Sequence, residues 1–196
     1  METKKAIRKE FLNRRNSLPE KLRLEYSKLI ENELLFLEQY KRADVLLIYA
    51  SYGSEVFTYG IIEHALSHSK RVFCPKVLAP GKMEFYEIFS VQELICGYKN
   101  IPEPSDTKIS YVHFEEANTL MIMPLVAYDS CGMRLGYGGG FYDRYLQKYT
   151  FSGKVALGFE CQKYEATLPA EETDLPPDMI ITETNCYSEF LKQRRA

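Results

Sequence analysis

Val45-Leu-Leu-Ile-Tyr-Ala50 is an unbroken apolar run. A strand packed on both faces has this composition, whereas a strand with one wet face alternates apolar and polar residues. Leu120-Met-Ile-Met123 is a second buried strand of this kind, and 154–159 and 179–182 read as two more. Helical spacing fills the intervals between them. Thr3 caps a helix reaching about Arg15, with Ile7 and Phe11 on its apolar face. Ser17-Leu-Pro-Glu20 has the form of a capping box with proline in the first turn, so a second helix is expected to start there. Its buried stripe is expected at Leu22, Tyr26, Leu29, Ile30, Glu33, Leu34 and Leu37. After a polar turn at 51–55 the spacing predicts a helix over 58–69, then a strand at 71–77. Ala79-Pro-Gly-Lys82 is a tight turn into 83–88, making a hairpin, and 96–110 reads as a surface loop. A last helix is expected over 141–149. Strands alternating with helices predict a single α/β domain with a mostly parallel central sheet flanked by helices. In such sheets ligands sit beyond the carboxyl ends of the strands, where the loops at 51–55 and 124–140 should lie.

The chain of 196 residues suits one large domain, and its 45% hydrophobic and 27% charged residues are those of an ordinary globular protein. A net charge of −2, with basic residues spread along the chain, argues against a general nucleic-acid binder. Five cysteines stand far apart without a CxxC pair, which suits a reduced intracellular protein. The first residues are charged and lack the apolar core of a signal peptide, and no apolar stretch approaches the length of a membrane span. A cytoplasmic monomer with small-molecule substrates, no nucleic acid and no membrane partner is the expectation.

The most informative stretch for function is Arg134-Leu-Gly-Tyr-Gly-Gly-Gly-Phe-Tyr-Asp143. Glycines this dense weaken a fold, because each loses more backbone entropy on ordering than a residue with a side chain. A turn of bare N–H groups leading into a helix makes a phosphate site. The run ends without Gly-Lys-Ser/Thr, so it is no Walker A loop, and it lacks the Rossmann glycine spacing. It is a phosphate loop of another kind or a structural turn. Arg134 can meet phosphate oxygens, and Asp143 either holds Mg²⁺ or favours the helix dipole. Lys4, Arg8 and Arg15 share one face of the first helix, a solvated row unless it converges on the glycines. Glu55 follows a strand end, and Asp174 lies in an acidic loop. His64 and His68 are four apart without a third ligand, and His113 has no partner in sequence. No Gly-x-Ser-x-Gly elbow or cysteine nucleophile motif occurs, which disfavours covalent hydrolase chemistry.

The run Arg134-Leu-Gly-Tyr-Gly-Gly-Gly-Phe-Tyr-Asp-Arg144 resembles the signature of the 5-formyltetrahydrofolate cyclo-ligase family. The resemblance extends over nearly the whole chain. It takes in Lys4-x-x-x-Arg8, the turn from Tyr49 to Glu55, Pro75-Lys76, Met123-Pro-Leu-Val-Ala-Tyr-Asp129, Leu157-Gly-Phe159 and Leu168-Pro-x-x-x-x-Asp174. It implies an enzyme of one-carbon metabolism that depends on ATP and Mg²⁺ and has an α/β fold. It further implies that Lys4, Arg8, Arg134, Leu135, Gly136, Tyr137, Gly138, Gly139, Gly140, Phe141 and Tyr142 hold the ATP phosphates. Asp143 and Asp174 would serve the magnesium. Glu55, Tyr137 and Tyr142 would meet the reduced folate, and Glu55, Arg134 and Tyr142 would assist the chemistry. Tyr137 stands where some members carry arginine, Gly139 where some carry lysine and Phe141 where many have tyrosine. A nucleotide- or folate-binding sensor without turnover, or a paralogue with another formylated or phosphorylated substrate, would carry a similar loop.

Overall fold

The apolar run at 45–50 becomes the middle of a seven-stranded sheet. In the computed structural model, which describes residues 3–107, 109–111 and 117–188, its first four residues form β1 (Val45–Ile48), buried throughout. The other strands are β2 (Arg71–Ala79), β3 (Lys82–Ile88), β4 (Leu94–Cys96), β5 (Pro102–Pro104), β6 (Thr119–Pro124), β7 (Ala127–Asp129), β8 (Arg134–Leu135), β9 (Gly153–Leu157), β10 (Lys163–Tyr164), β11 (Met179–Ile181) and β12 (Cys186–Tyr187). The helices are α1 (Lys4–Asn16), α2 (Glu20–Phe36), α3 (Glu38–Arg42), α4 (Tyr59–Ser67) and α5 (Phe141–Leu146). The large sheet is ordered β12-β11-β9-β6-β1-β2-β3. Its inner strands run parallel, while β3 and β12 close the edges antiparallel.

Period-two alternation divides the strand side chains between two cores. Leu46, Ile48, Leu120 and Ile122 pack under Ile30 and Leu34 of α2 and Ile61 and Ile62 of α4. Val45, Leu47, Met121 and Met123 face the opposite side with Phe73, Phe85 and Tyr145 of α5. Both faces are covered, so the strand sequences show no alternation. A third cluster joins Ile7 and Phe11 of α1 to Val126, Ala127, Leu135 and Leu168. It seats α1 against the small sheet β10-β7-β8, which leads into the glycine loop.

Several expected elements differ in detail. Thr3 does cap α1, its hydroxyl accepting from the Ala6 amide at 3.3 Å, but no capping box forms at Ser17-Leu-Pro-Glu20. The Ser17 amide and hydroxyl are spent on the carbonyl of Asn13 in closing α1, and Pro19 occupies the N-cap of α2 without a side-chain bond. The buried stripe of α2 is Ser27, Ile30, Glu31 and Leu34, while Leu29 is 51% exposed and Glu33 faces solvent. The reason is the close crossing of α4. A Cβ on Gly60 would collide with the Glu31 carboxylate, and Ser27 Oγ accepts the Phe57 amide at 3.0 Å. The loop expected over 96–110 contains β5, which pairs back on β4 as a hairpin and is anchored where Glu103 accepts the Val77 amide at 3.0 Å and Lys76 donates to the Pro104 carbonyl at 2.8 Å. Helix α5 stops at Leu146, short of the expected 149. No helix among the described residues is long and apolar enough to cross a membrane.

Candidate active site

The glycine loop needs backbone that L side chains rarely adopt. Gly138 has φ +95° and Gly140 φ +61°, and a Cβ on Gly138 would lie 3.2 Å from the Arg8 guanidinium carbon. Helix α1 reaches the loop here, because Arg8 Nε donates to the Gly136 carbonyl at 2.8 Å. The terminal nitrogens of Arg8 make no hydrogen bond among the described residues and remain available to an anion. Leu135 enters only through its backbone, since its side chain packs in the α1 core. A Cβ on Gly139 would strike the Phe141 ring at 2.6 Å.

Around this loop the nominated residues fall into three linked groups. In the first, Lys4 Nζ lies 2.6 Å from Asp174 Oδ2 and 2.8 Å from Glu171 Oε1. Burial opposes the lysine charge, but the two carboxylates outweigh it and raise its pKa. Burial likewise opposes the Asp174 charge, and Lys4 with the Glu171 amide outweighs it and lowers that pKa. In the second group, Arg134 Nη2 donates to Asp143 Oδ1 at 2.9 Å, an oxygen that also accepts the Leu175 amide at 3.3 Å. The Arg134 side chain is 4% exposed; burial lowers its pKa, against the pull of Asp143. In the third, Tyr137 donates its hydroxyl proton to Glu55 Oε1 at 2.7 Å and accepts from Arg15 Nη2 at 2.7 Å. Glu55 Oε2 takes the Tyr52 amide at 2.9 Å. Burial pushes the Glu55 carboxyl above its usual range, and the Tyr137 hydroxyl and Arg15 charge only partly offset this.

Tyr142 joins the second and third groups. Its ring lies under Arg134, with 5.7 Å between guanidinium and centroid, and its phenol is held protonated by burial and by the nearby Glu55 charge. The phenol oxygen of Tyr142 and Nε of Arg134 are buried without a hydrogen-bond partner among the described residues. A cavity at the opposite end of the sheet, lined by Glu38, Arg42, Asn118 and Ser152, gathers none of these residues. His64 of α4 and His68 at its C-cap stack on each other 4.0 Å apart, and among the described residues no cluster of three or more metal-ligating side chains occurs. His113 lies outside the described residues.

A family model described as the 5-formyltetrahydrofolate cyclo-ligase family matches residues 1–183. The chain belongs to the 5-formyltetrahydrofolate cyclo-ligase family. Among its relatives, the 5-formyltetrahydrofolate cyclo-ligase of Escherichia coli K12 is 34% identical over 150 residues, which is 74% of this chain and 81% of that one. The Haemophilus influenzae protein of the same name is 29% identical over 178 residues, covering 88% of this chain and 94% of its own. The solved structure of Aquifex aeolicus 5,10-methenyltetrahydrofolate synthetase superposes with a TM-score of 0.79 at 30% identity, covering 93% of this chain and 91% of that one. This cyclo-ligase family member is therefore an enzyme, a ligase of folate metabolism.

Two supporting residues of the candidate site were not singled out from the sequence, although Asp129 closes one of the segments that carry the resemblance. Asp129 is fully buried and accepts the amides of Cys131, Met133 and Leu168, each at 2.9 Å. It fixes the turn before the glycine loop and ties it to the segment that carries Asp174. Glu171 joins Lys4 from an acidic loop with no periodicity to single it out. Arg15 did carry a signal, its place on the Lys4–Arg8 face; Arg8 and Arg15 of that row meet the glycine loop, while Lys4 pairs with the segment that carries Asp174.

Proposed function

We propose that the chain converts 5-formyltetrahydrofolate to 5,10-methenyltetrahydrofolate, consuming ATP and releasing ADP and phosphate. The observation that carries this reading is the pair of orphaned buried atoms, Arg134 Nε and the Tyr142 phenol, at the glycine loop. A buried polar atom left unpaired costs about 1–3 kcal/mol, and a polar ligand between loop and Glu55 removes that cost. The anion-binding parts stand beside them: Arg8, whose terminal nitrogens are free among the described residues, and the exposed glycine backbone.

In this reading the N5-formyl oxygen attacks the γ-phosphorus, a P–O bond to ADP breaks, and an imidate phosphate forms. N10 then attacks the activated carbon and loses its proton. The C–O bond breaks, and phosphate departs with the former formyl oxygen. Such a transfer needs positioning and charge neutralisation more than a covalent nucleophile. Arg8 and Arg134 neutralise the phosphates, the glycine amides orient them, and Glu55 with Tyr142 faces the folate. With its pKa raised by burial, Glu55 is suited to orienting the pterin or taking a proton.

The residues also fit a magnesium ion. Asp143 Oδ2 and Asp174 Oδ1 accept no hydrogen bond among the described residues. The Leu175 amide on Asp143 brings the two carboxylates into one region. Hard oxygen donors from one or two carboxylates, completed by phosphate and water, suit Mg²⁺. When bound there it would supply further neutralisation of the phosphates. A heavy-oxygen label in the formyl group tests the chemistry. The reading predicts the label in the released phosphate, and label released to water instead would overturn it.

A further inference from the structure

Among the described residues, Arg15 is the one α1 side chain whose hydrogen bonds reach three separate loops of the site. It is 4% exposed. Its Nε donates to Ser54 Oγ at 2.9 Å in the loop after β1. Its Nη1 reaches the Leu125 carbonyl after β6 at 3.4 Å, and its Nη2 donates to the Tyr137 hydroxyl in the glycine loop at 2.7 Å. Ser54 passes the connection on to Asn16 at 2.5 Å. The hydroxyl of Tyr137 has a single proton. It accepts from Arg15, so that proton points at Glu55, whose Oε1 lies 2.7 Å from the hydroxyl oxygen. The ring of Tyr137 lies 5.5 Å from the guanidinium, yet the residue is 50% exposed. Its packing alone does not hold it in place, and its hydroxyl is the tie.

The consequence is mechanical. Tyr137 stands between Gly136 and Gly138, inside the segment read as the phosphate cradle, while Glu55 belongs to the segment read as facing the folate. An unbroken chain Arg15–Tyr137–Glu55 makes the position of one loop depend on the other. We infer that Arg15 and Tyr137 are positioning residues that couple the two substrate sites, so that nucleotide held by the glycine loop fixes Glu55 for the folate, and folate in turn favours nucleotide. This inference rests on the substrate assignment proposed above. Reciprocity follows from linkage, and couplings of this kind typically amount to about 5- to 150-fold in affinity.

The test measures 5-formyltetrahydrofolate binding by calorimetry, with and without a saturating non-hydrolysable ATP analogue and Mg²⁺. The natural chain is expected to bind the folate about tenfold more tightly with the analogue present, within the usual range of coupling. Tyr137→Phe keeps the ring and removes the tie, and the ratio is expected to fall to within about twofold of unity. Arg15→Met should lose the same coupling, and the double variant should lose no more than either single one, since both belong to one chain of contacts. A general loss of packing would lower the fraction of folded protein without abolishing the ratio. Should Arg15→Met fail to fold, Tyr137→Phe decides alone. A natural chain that forms the methenyl product but shows no coupling, or a Tyr137→Phe variant that keeps it, overturns this inference and leaves the proposed reaction standing. A natural chain that neither binds nor converts the folate overturns both.

Discussion

Asp143 shows how structure alters an expectation drawn from sequence. In sequence it is a first-turn carboxylate beside a glycine loop, and truncation to alanine would be expected to harm turnover far more than folding. In the structure it is, among the described residues, the only ion-pair partner of a buried arginine. Asp143→Ala therefore leaves the Arg134 charge uncompensated and should cost roughly 3 kcal/mol of stability, read by chemical denaturation. Asp143→Asn keeps an acceptor for Arg134 and the Leu175 amide. It should fold and lower activity on the order of 10- to 100-fold at limiting Mg²⁺; near-normal activity at every Mg²⁺ concentration would remove Asp143 from the site. Lys4→Ala removes a cation from beside Asp174. Steady-state kinetics should show an apparent KM for ATP raised about tenfold or more, the worth of one charged hydrogen bond, and an unchanged KM would confine Lys4 to holding the 168–178 segment. Gly138→Ala forces a side chain to φ +95° at about 1–2 kcal/mol. A neutral melting temperature would argue against a tight cradle. The glycines, Lys4 and Arg8 were legible because their spacing maps onto one turn and one helix face. Asp129 and Glu171 were not, since their roles depend on backbone amides and side chains brought near only by the fold.

Elements whose pattern reports their own burial were the legible ones. The apolar runs of β1 and β6 announce strands covered on both faces, and Ala79-Pro-Gly-Lys82 announces the β2–β3 turn. The buried stripe of α2 was misread because its neighbour approaches through Gly60, which buries the polar Ser27 and Glu31. A helix sequence does not carry the shape of its partner. The short strand β12 is likewise held by a contact no pattern shows. Glu160 Oε1 accepts from the Tyr187 hydroxyl at 2.7 Å, and its Oε2 accepts from Thr182 at 2.9 Å, Tyr128 at 3.1 Å and Thr184 at 3.2 Å. Burial works against the Glu160 charge, but these hydroxyls outweigh it and lower the pKa below 4.5. A carboxyl depressed in the folded state binds fewer protons there than in the unfolded chain. Its stabilisation is complete above the ordinary glutamate value and fades as pH falls through the folded one. Glu160→Gln should therefore cost about 2 kcal/mol near neutrality, with the gap from the natural chain closing in acid. Denaturant melts at both pH values check this, and a pH-independent difference would contradict it.

Across the molecule, the parallel sheet sets β1 and β6 side by side, so that the loops leaving their carboxyl ends meet. The loop after β1 brings Glu55, and the chain beyond β6 passes through β7 and β8 to bring the glycines. Helix α1 crosses both with Lys4, Arg8 and Arg15, and the 168–178 segment adds Asp174. With α1 seated on the glycine loop, the proposed phosphate site would draw Lys4 and Arg8 from a different element in place of a Walker lysine. The alternation of strands and helices made this architecture readable, while the convergence of α1 on the loop is a property of the folded chain alone. The central claim is that this convergence serves ATP-dependent closure of the folate ring. Absorbance in the methenyl-folate band, followed after mixing the protein with 5-formyltetrahydrofolate, tests it most directly. The account predicts a rise that requires Mg-ATP; a flat trace from protein that still binds ATP would contradict it.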